Sequence, residues 1–278
     1  MLSLILAVLC STAISLAMRL STDRVQSNVG LLAMNYLICF VIAVAFTGVD
    51  ALFVTTEGYG TAAVLGGAQG MLYLLAFVLL QLNIRKNGVV LSAIFQRLGL
   101  LVPMVVSVFL FGEIPEALQI VGFCVAIYAI ILINLEKEQT VMQFKAGLLL
   151  ILLAGGGADV MAKLYEEWGN PALAPQFLLF TFGVALVLCI GLMLWKQERP
   201  GLQELLYGAA VGVPNYFSAR FLLKALEDIP AVITYPTCNV STLLVVTLTG
   251  ILLFRETLTR RQVIALAIIP AALVLLNL

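Results

Sequence analysis

Two charged side chains stand deep inside apolar stretches of this 278-residue chain, where they could carry chemistry. Asp159 is the one acidic residue within such a stretch, and Arg97 is the tenth residue of another. A carboxylate is costly in an apolar medium when it is charged, so it can serve to bind and release protons. A guanidinium keeps its charge, and it therefore needs an anion, backbone carbonyls or water. These properties predict a proton-coupling role for Asp159 and a carboxylate or phosphate anchor at Arg97.

Each of these charges also has a structural alternative. Lys163 lies four residues after Asp159 on the same helix face, so the two could form an ion pair near the helix end. If Asp159 instead couples protons, Lys163 belongs to the same coupling site. Arg97 could brace the protein by pairing with a glutamate or with helix carbonyls. Arg220 lies nearer its helix end, and we expect it to extend toward the polar interface.

Uncharged polar and aromatic side chains occur in pairs inside the same apolar stretches. Gln69 precedes Tyr73 by one turn, and Asn239 follows Tyr235 by one turn. Each side chain alone could make an interhelical hydrogen bond, worth about 1 kcal/mol in membranes. As a set they predict a polar path that binds substrate together with Arg97; its members are Gln69, Tyr73, Asn215, Tyr216, Tyr235 and Asn239, with Asn35 and Tyr36 as further contributors.

The elements that must position these residues are membrane-spanning helices. Hydrophobic residues make up 62% of the chain and charged residues 11%, against roughly 45–50% and about 25% in soluble domains. A span needs about 20 apolar residues. The sequence predicts an all-α, polytopic membrane protein with ten transmembrane helices, at residues 2–19, 29–48, 61–82, 88–111, 116–134, 144–163, 173–195, 205–224, 230–254 and 259–277.

The second half of the chain repeats the first at an offset of 143 residues. Tyr73 falls on Tyr216 at this offset, and the motif at 110–113 falls on 253–256. We predict a first five-helix repeat at 1–134, a connecting loop at 135–143 and a second five-helix repeat at 144–278, within one membrane domain. Five crossings is an odd number, so the second repeat must be inverted relative to the first. Inverted repeats are typical of secondary transporters, which alternate access around a central site.

The basic residues predict an orientation in a plasma (inner) membrane. Loops after even-numbered spans hold two of them, Lys163 and Lys224. Loops after odd-numbered spans hold eleven, and the positive-inside rule then places those loops in the cytoplasm and both termini outside. The eleven are Arg19, Arg24, Arg85, Lys86, Lys137, Lys145, Lys196, Arg199, Arg255, Arg260 and Arg261.

Three segments resemble a known family of transporters. Residues 111–115, Phe-Gly-Glu-Ile-Pro, continue through Gln119 and Gly122 and resemble the F-G-E…Q…G signature of the drug/metabolite transporter superfamily. A weaker echo runs from 254–256 through Gln262. Residues 155–163 resemble the first helix of the small multidrug resistance proteins, although the lysine stands one turn closer to the carboxylate here. With the predicted ten spans, the chain resembles the EamA-type branch. The resemblance implies a central cavity, transport of small organic compounds, often outward, and cytoplasmic termini.

Several other classes of function are disfavoured. Histidine is absent, which removes the commonest metal ligand and general base, so we predict no enzyme, no catalytic or metal site and no cofactor. A channel would need rings of like residues, and an ATP-driven pump would need a phosphate-binding loop that does not occur. The net charge of zero gives no argument for a nucleic acid. The expected partners are the lipid bilayer, a small-molecule substrate and protons as coupling ion, and the chain is expected to be a monomer.

The leading hypothesis is a secondary active exporter of small organic metabolites such as amino acids, working by alternating access. One deep arginine and one carboxylate suit a zwitterion or a carboxylate better than a cationic drug. The alternatives are a proton-coupled exporter of drugs or organic cations, which would need Asp159 unpaired, and an exchanger of anionic metabolites, which would need Arg97, Arg220 and Lys163 to converge.

Overall fold

A computed structural model describes residues 1–48, 56–134, 144–254 and 259–278. These residues form α-helices and two short 3-10 segments, with no strand among them, so the predicted all-α class is confirmed. The predicted loop 135–143 and the motif echo at 255–256 lie outside the described residues. The helices are α1 (Leu2–Ser21), α2 (Asn28–Thr47), α3 (Tyr59–Arg97), α4 (Leu101–Phe111), α5 (Ala117–Asn134), α6 (Lys145–Trp168), α7 (Ala174–Trp195), α8 (Leu202–Leu226), α9 (Ala231–Phe254) and α10 (Arg260–Asn277).

The helices are long and apolar enough for a polytopic membrane protein. Seven stretches among the described residues could cross a membrane by length and composition. One of them, Tyr59–Phe111, has 53 residues and is interrupted at Gly88, while α5 is a shorter apolar helix. The α8 helix is not among the seven; it contains Pro214, Asn215 and Arg220 among its apolar residues. The number of ten crossings therefore stays a prediction.

Helix starts in the first half of the chain recur 143 residues later in the second half. The five pairs are Leu2 and Lys145, Asn28 and Pro171, Tyr59 and Leu202, Gly88 and Ala231, and Ala117 and Arg260. Pro171 begins the 3-10 segment that leads into α7, and Gly88 is the point at which α3 is interrupted. The offset read from side-chain identities is thus also the offset of the helix boundaries; the inversion and the repeat limits stay predictions.

The break between the predicted third and fourth spans lies at Gly88, where φ is 80° and ψ is 166°. This conformation is open to glycine because it has no Cβ. The polar run before it, expected to be a loop, is helical instead. The amide of Asn83 donates to the carbonyl oxygen of Gly147 at 2.9 Å, and Asn87 exchanges two hydrogen bonds with the backbone of Phe144. These contacts explain why polar residues remain in the helix.

The described chain divides into two compact units, each built from both halves of the sequence. The first unit comprises residues 1–74 and 161–227, and the second comprises residues 75–160 and 228–278. In the first unit α8 packs on α1 and α2, and α2 packs on α7. In the second unit α5 packs on α10, and α9 contacts both α4 and α10.

Glycines allow the closest helix contacts of the first unit. In the pair Gly66 and Gly70, a β-carbon would clash with the backbone of α7 at Phe177 and Thr181. At Gly212 a β-carbon would lie 2.7 Å from the carbonyl oxygen of Asn35 on α2. Gly66 and Gly70 in the third predicted span, and Gly208 and Gly212 in the eighth, are each four residues apart, and this spacing of small residues lets helices pack closely in lipid.

A single carboxylate ties the start of α8 to the start of α2 in the first unit. Glu204 is buried, with 3% of its surface exposed. Its Oε1 accepts hydrogen bonds from the backbone N–H groups of Gln26 and Ser27 at 2.9 and 3.1 Å, and its Oε2 accepts from Gly201 at 2.8 Å. Ser27 in turn caps α2, because its Oγ accepts from the N–H of Gly30 at 2.7 Å.

Candidate functional site

The predicted site residues fall into one set in each unit. The first unit holds Gln69, Tyr73, Lys163, Asn215 and Tyr216, and the second unit holds Arg97, Asp159, Tyr235 and Asn239. Each set is described by itself. All of these residues lie on helices, where the apolar runs that surround them form α3, α6, α8 and α9.

In the second unit, Asp159 and Tyr235 are in direct contact. The Tyr235 side chain is 1% exposed, and its hydroxyl donates a 2.7 Å hydrogen bond to the backbone carbonyl oxygen of Asp159. Asn239, one turn further along α9, donates from its amide to the carbonyl oxygen of Tyr235 at 3.1 Å. The Asp159 side chain is half-buried. Helix α9 thus packs its tyrosine against the backbone of the residue predicted to couple protons.

Arg97 lies near the same part of α6. It is the last residue of α3, and its side chain is half-buried. Two residues later, a β-carbon at Gly99 would lie 3.1 Å from the backbone nitrogen of Gly156. Asp159 follows Gly156 by three residues. The close contact of these two glycines therefore brings the chain segments that carry Arg97 and Asp159 together within the second unit.

In the first unit, the repeat-equivalent residues Tyr73 and Tyr216 belong to one row of aromatic rings. The rings of Tyr73 and Tyr36 are stacked, with centroids 6.4 Å apart and planes 6° apart. The ring centroids of Tyr36 and Phe182 are 6.3 Å apart, and those of Phe182 and Tyr216 are 5.9 Å apart. Two rings thus connect the two tyrosines. Phe182 lies on α7 and was not among the predicted lining residues.

The predicted polar residues of the first unit satisfy one another across helices. The amide of Asn215 on α8 donates to the Oδ1 atom of Asn35 on α2 at 3.1 Å. Thr181 on α7 and Gln69 on α3 are joined by a 3.0 Å hydrogen bond between the threonine hydroxyl and the Gln69 Oε1 atom. Such bonds stabilise helix packing in membranes by about 1 kcal/mol each. Thr181 was missed because a threonine on an apolar helix gives no distinct signal.

Lys163 has carboxylate partners one turn further along its own helix. Its Nζ atom lies 2.6 Å from an oxygen of Glu166 and 2.6 Å from an oxygen of Glu167, and the lysine is 2% exposed. The i,i+3 and i,i+4 spacing of these residues on α6 explains both contacts. The positive charge of Lys163 is therefore matched without Asp159, and the ion pair of Asp159 with Lys163 stays a prediction.

Among the described residues, the first unit contains at least two cavities. One has a volume of about 380 Å³ and is lined by apolar side chains of α2 and α7, among them Phe40, Phe180 and Val184, with Tyr59 at its edge. The other, of about 290 Å³, lies between the start of α7 and the last turns of α8. Within the described ranges, no group of three metal-ligating side chains is present.

Comparison with known proteins gives three findings. Residues 145–278 match the EamA-like transporter family. The chain is 24% identical over 269 residues to an uncharacterized protein of Haemophilus influenzae, in an alignment that covers 93% of this chain and 91% of that protein. A protein of known crystal structure shares the fold with a TM-score of 0.75 and 16% identity, over 99% of this chain and 94% of that chain.

Proposed function

Because residues 145–278 match the EamA-like transporter family, we propose that the chain is a secondary active exporter of small organic metabolites such as amino acids. The family and the apolar helices make it a multi-pass membrane transporter of small molecules. Direction, substrate and mechanism are parts of the proposal.

The observation that carries the proposal is the placement of Asp159. It lies in α6 two residues after three glycines, Gly155 to Gly157, and the hydroxyl of its neighbour Tyr235 donates to its backbone carbonyl oxygen. Gly155 has open space on the side where a β-carbon would stand: apart from its chain neighbours and the backbone of its own helix, no described atom lies within 4 Å. An acidic side chain in an apolar helix is a functional hypothesis by default. We infer that Asp159 takes up and releases the coupling proton.

Alternating access is supported by the recurrence of helix starts at 143 residues. Transporters built from two repeats exchange access by changing the conformation of one repeat against the other. Each compact unit here contains helices from both halves of the sequence. We infer that substrate binds along the predicted polar side chains, with Arg97 holding a carboxylate.

One observation favours a second candidate, the proton-coupled export of organic cations. Lys163 is matched by Glu166 and Glu167, so Asp159 need not neutralise it and could bind a cationic group. Exchange of anionic metabolites is the third candidate, and it requires that binding depends on Arg97. The same experiment separates the three.

The experiment is a flux assay in proteoliposomes loaded with a pH-sensitive dye. Amino acids, organic cations and organic anions are added singly, and protein-free liposomes serve as the control. A change of internal pH with amino acids alone supports the leading proposal, while a change with cations alone supports the second candidate. Counter-flow of a labelled anion without proton movement supports exchange. Absence of all three contradicts the transport proposal.

The membrane orientation is also proposed, from the excess of basic residues in the odd-numbered loops. Both termini then lie outside a plasma (inner) membrane, opposite to what the family resemblance implies. A cysteine introduced next to the exposed Arg199 reports the side of one odd-numbered loop. Protection of this thiol from an impermeant reagent in whole cells supports the charge-based orientation, and labelling contradicts it.

A further inference from the structure

The cavity of about 290 Å³ in the first unit is lined by two residues that each have a buried polar atom without a hydrogen-bond partner among the described residues. Tyr216 is fully buried, and among the described residues neither its hydroxyl nor the Nη1 atom of Arg220 has a hydrogen-bond partner. The Tyr216 hydroxyl and the Arg220 guanidinium lie close enough for an electrostatic interaction and a weak side-chain hydrogen bond with each other, but neither the hydroxyl nor Nη1 has a hydrogen bond of ordinary geometry. A buried donor that makes no hydrogen bond lowers the stability of the folded protein. Both residues line the cavity of about 290 Å³, which is where a partner could bind.

Arg220 is held in place by an aromatic ring. Its guanidinium carbon lies 4.1 Å from the centroid of the Phe46 ring on α2, a geometry in which the ring face attracts the cation. The Arg220 side chain is half-buried and its Nη1 atom is fully buried, while its extension to the polar interface stays a prediction. The Phe46 ring contacts the face of the guanidinium, so the N–H groups in the guanidinium plane are not used by this contact. These N–H groups are the part of arginine that binds a carboxylate through two parallel hydrogen bonds.

The other walls of the cavity define the rest of its occupant. Residues 216, 220, 224 and 227 follow one another along one face of α8, so that Lys224 adds a second positive charge and Glu227 a negative one. Both of these side chains are exposed and stand at the open end. The opposite wall, from the start of α7, is apolar and includes Pro171, Pro175 and Leu178.

We propose that this cavity is a binding site for a small monocarboxylate with an apolar body. The carboxylate accepts hydrogen bonds from the edge of Arg220 and from the Tyr216 hydroxyl, and the apolar body packs on the prolines and the leucine of α7. Glu227 disfavours an occupant with a second negative charge. The site shares Tyr216 with the polar path of the proposed function, but it does not require transport, and its test measures binding alone.

The experiment compares ligands with one body and different head groups on the purified full-length protein in detergent. Benzoate is titrated by calorimetry, with benzamide, benzylamine and phenyl phosphate as the neutral, cationic and phosphate counterparts. Phosphatidylglycerol is added in a separate arm to detect a lipid headgroup. Saturable binding of benzoate without binding of the other four supports the proposal. Binding of phenyl phosphate or of the lipid in place of benzoate, or equal binding of benzamide, overturns it.

Variants connect the binding to the two buried groups. Arg220→Gln and Tyr216→Phe should each weaken benzoate binding about tenfold or more, because each removes a hydrogen bond to a charged group. Arg220→Lys keeps the positive charge but cannot donate two parallel hydrogen bonds to a carboxylate. It should therefore weaken benzoate binding by a smaller factor than Arg220→Gln does. Arg199→Gln, in the loop before α8, and Tyr207→Phe, earlier on α8, are the matched controls and should bind as the unmodified protein does.

The ligand-free stability of the same variants keeps the test independent of folding. Tyr216→Phe retains the ring that contacts Phe182 and removes only a hydroxyl that has no partner among the described residues. Its unfolding temperature without benzoate should therefore equal or exceed that of the unmodified protein. Unchanged benzoate affinity in both Tyr216→Phe and Arg220→Gln would overturn the site.

Discussion

The hydroxyl of Tyr235 donates a 2.7 Å hydrogen bond to the backbone carbonyl oxygen of Asp159. The bond joins α9 to α6 at the residue that carries the acidic side chain of the predicted sixth span. Because the acceptor is a backbone atom, the carboxylate can gain or lose a proton without breaking this bond. The positioning of Asp159 and its proton exchange can therefore be tested separately.

Removing the carboxylate should abolish proton coupling. Asp159→Asn has nearly the same shape, but its amide does not titrate, so solute-dependent proton flux in proteoliposomes should fall at least about a hundredfold. The hydrogen bond to the backbone should persist, and the unfolding temperature should change little. Asp228→Asn, an exposed aspartate between α8 and α9, is the control and should retain its flux. Undiminished proton flux in Asp159→Asn would contradict the coupling role and favour a structural role for Asp159.

Removing only the hydroxyl of Tyr235 should lower stability and leave part of the proton flux, the opposite of the effect expected for Asp159→Asn. Tyr235→Phe loses one interhelical hydrogen bond, so the free energy of unfolding should fall by about 0.6–1.7 kcal/mol, the range for such bonds in membranes. Proton flux should be reduced but present, because the carboxylate remains. Thermal unfolding in detergent measures the first effect and the dye assay measures the second. Tyr128→Phe changes an exposed ring on α5 and serves as the comparison. A complete loss of flux at full stability would show that the hydroxyl itself handles the proton or the substrate.

Glu204 should make the stability of the first unit depend on pH. Burial opposes the ionisation of its carboxyl, but the hydrogen bonds from backbone N–H groups, including those of Gln26, Ser27 and Gly201, outweigh burial and lower the pKa of Glu204 below its ordinary value of 4.5. Glu204 precedes the predicted eighth span, which begins at residue 205. Its stabilisation is therefore complete above the ordinary pKa and is lost as the pH falls through the lowered one.

The variant Glu204→Gln tests this carboxylate at neutral pH. An amide has one acceptor oxygen where the carboxylate uses two, so its NH₂ group would face a backbone N–H. The free energy of unfolding should fall by about 1–3 kcal/mol. The deficit should shrink as the pH is lowered through the pKa of Glu204, because the unmodified protein then loses its charge as well. A deficit that does not change with pH would contradict the role of the charge, and Asp23→Asn, at an exposed position, is the control.

The sequence predicted what depends on composition and periodicity, and it missed what depends on tertiary contact. The helices and the repeat could be read because apolar runs and their polar breaks are local properties, and Tyr73 and Tyr216 were related by the repeat alone. The partners of Lys163 were also within reach, since Glu166 and Glu167 stand at helical spacing from it. The acceptor for Tyr235 is a backbone oxygen, which no side-chain pattern reveals.

The contact of Arg220 with Phe46 could not be predicted for a different reason. The distance of Arg220 from its helix end is a local property, whereas the ring that it contacts belongs to another helix. Likewise, the helical conformation of the polar run before Gly88 depends on Asn87 bonding to the backbone of Phe144, which lies 57 residues away in sequence. Such contacts follow from the packing of the helices and not from the residues of one segment.

The contact between Gly99 and Gly156 should be essential for stability and for proton flux. The neighbouring residue Gly155 provides a matched control. In Gly156→Ala the new β-carbon would clash with the carbonyl oxygen of Gly99 and lie 2.6 Å from the Cβ atom of Val102, and backbone cannot move aside. We expect a loss of about 1–3 kcal/mol in the free energy of unfolding and reduced flux, because the segments of Arg97 and Asp159 separate. Gly155→Ala meets no atom of another residue within 4 Å and gains helix propensity, so it should be neutral or stabilising. Equal unfolding temperatures and equal flux in the two variants would show that this contact does not position the site.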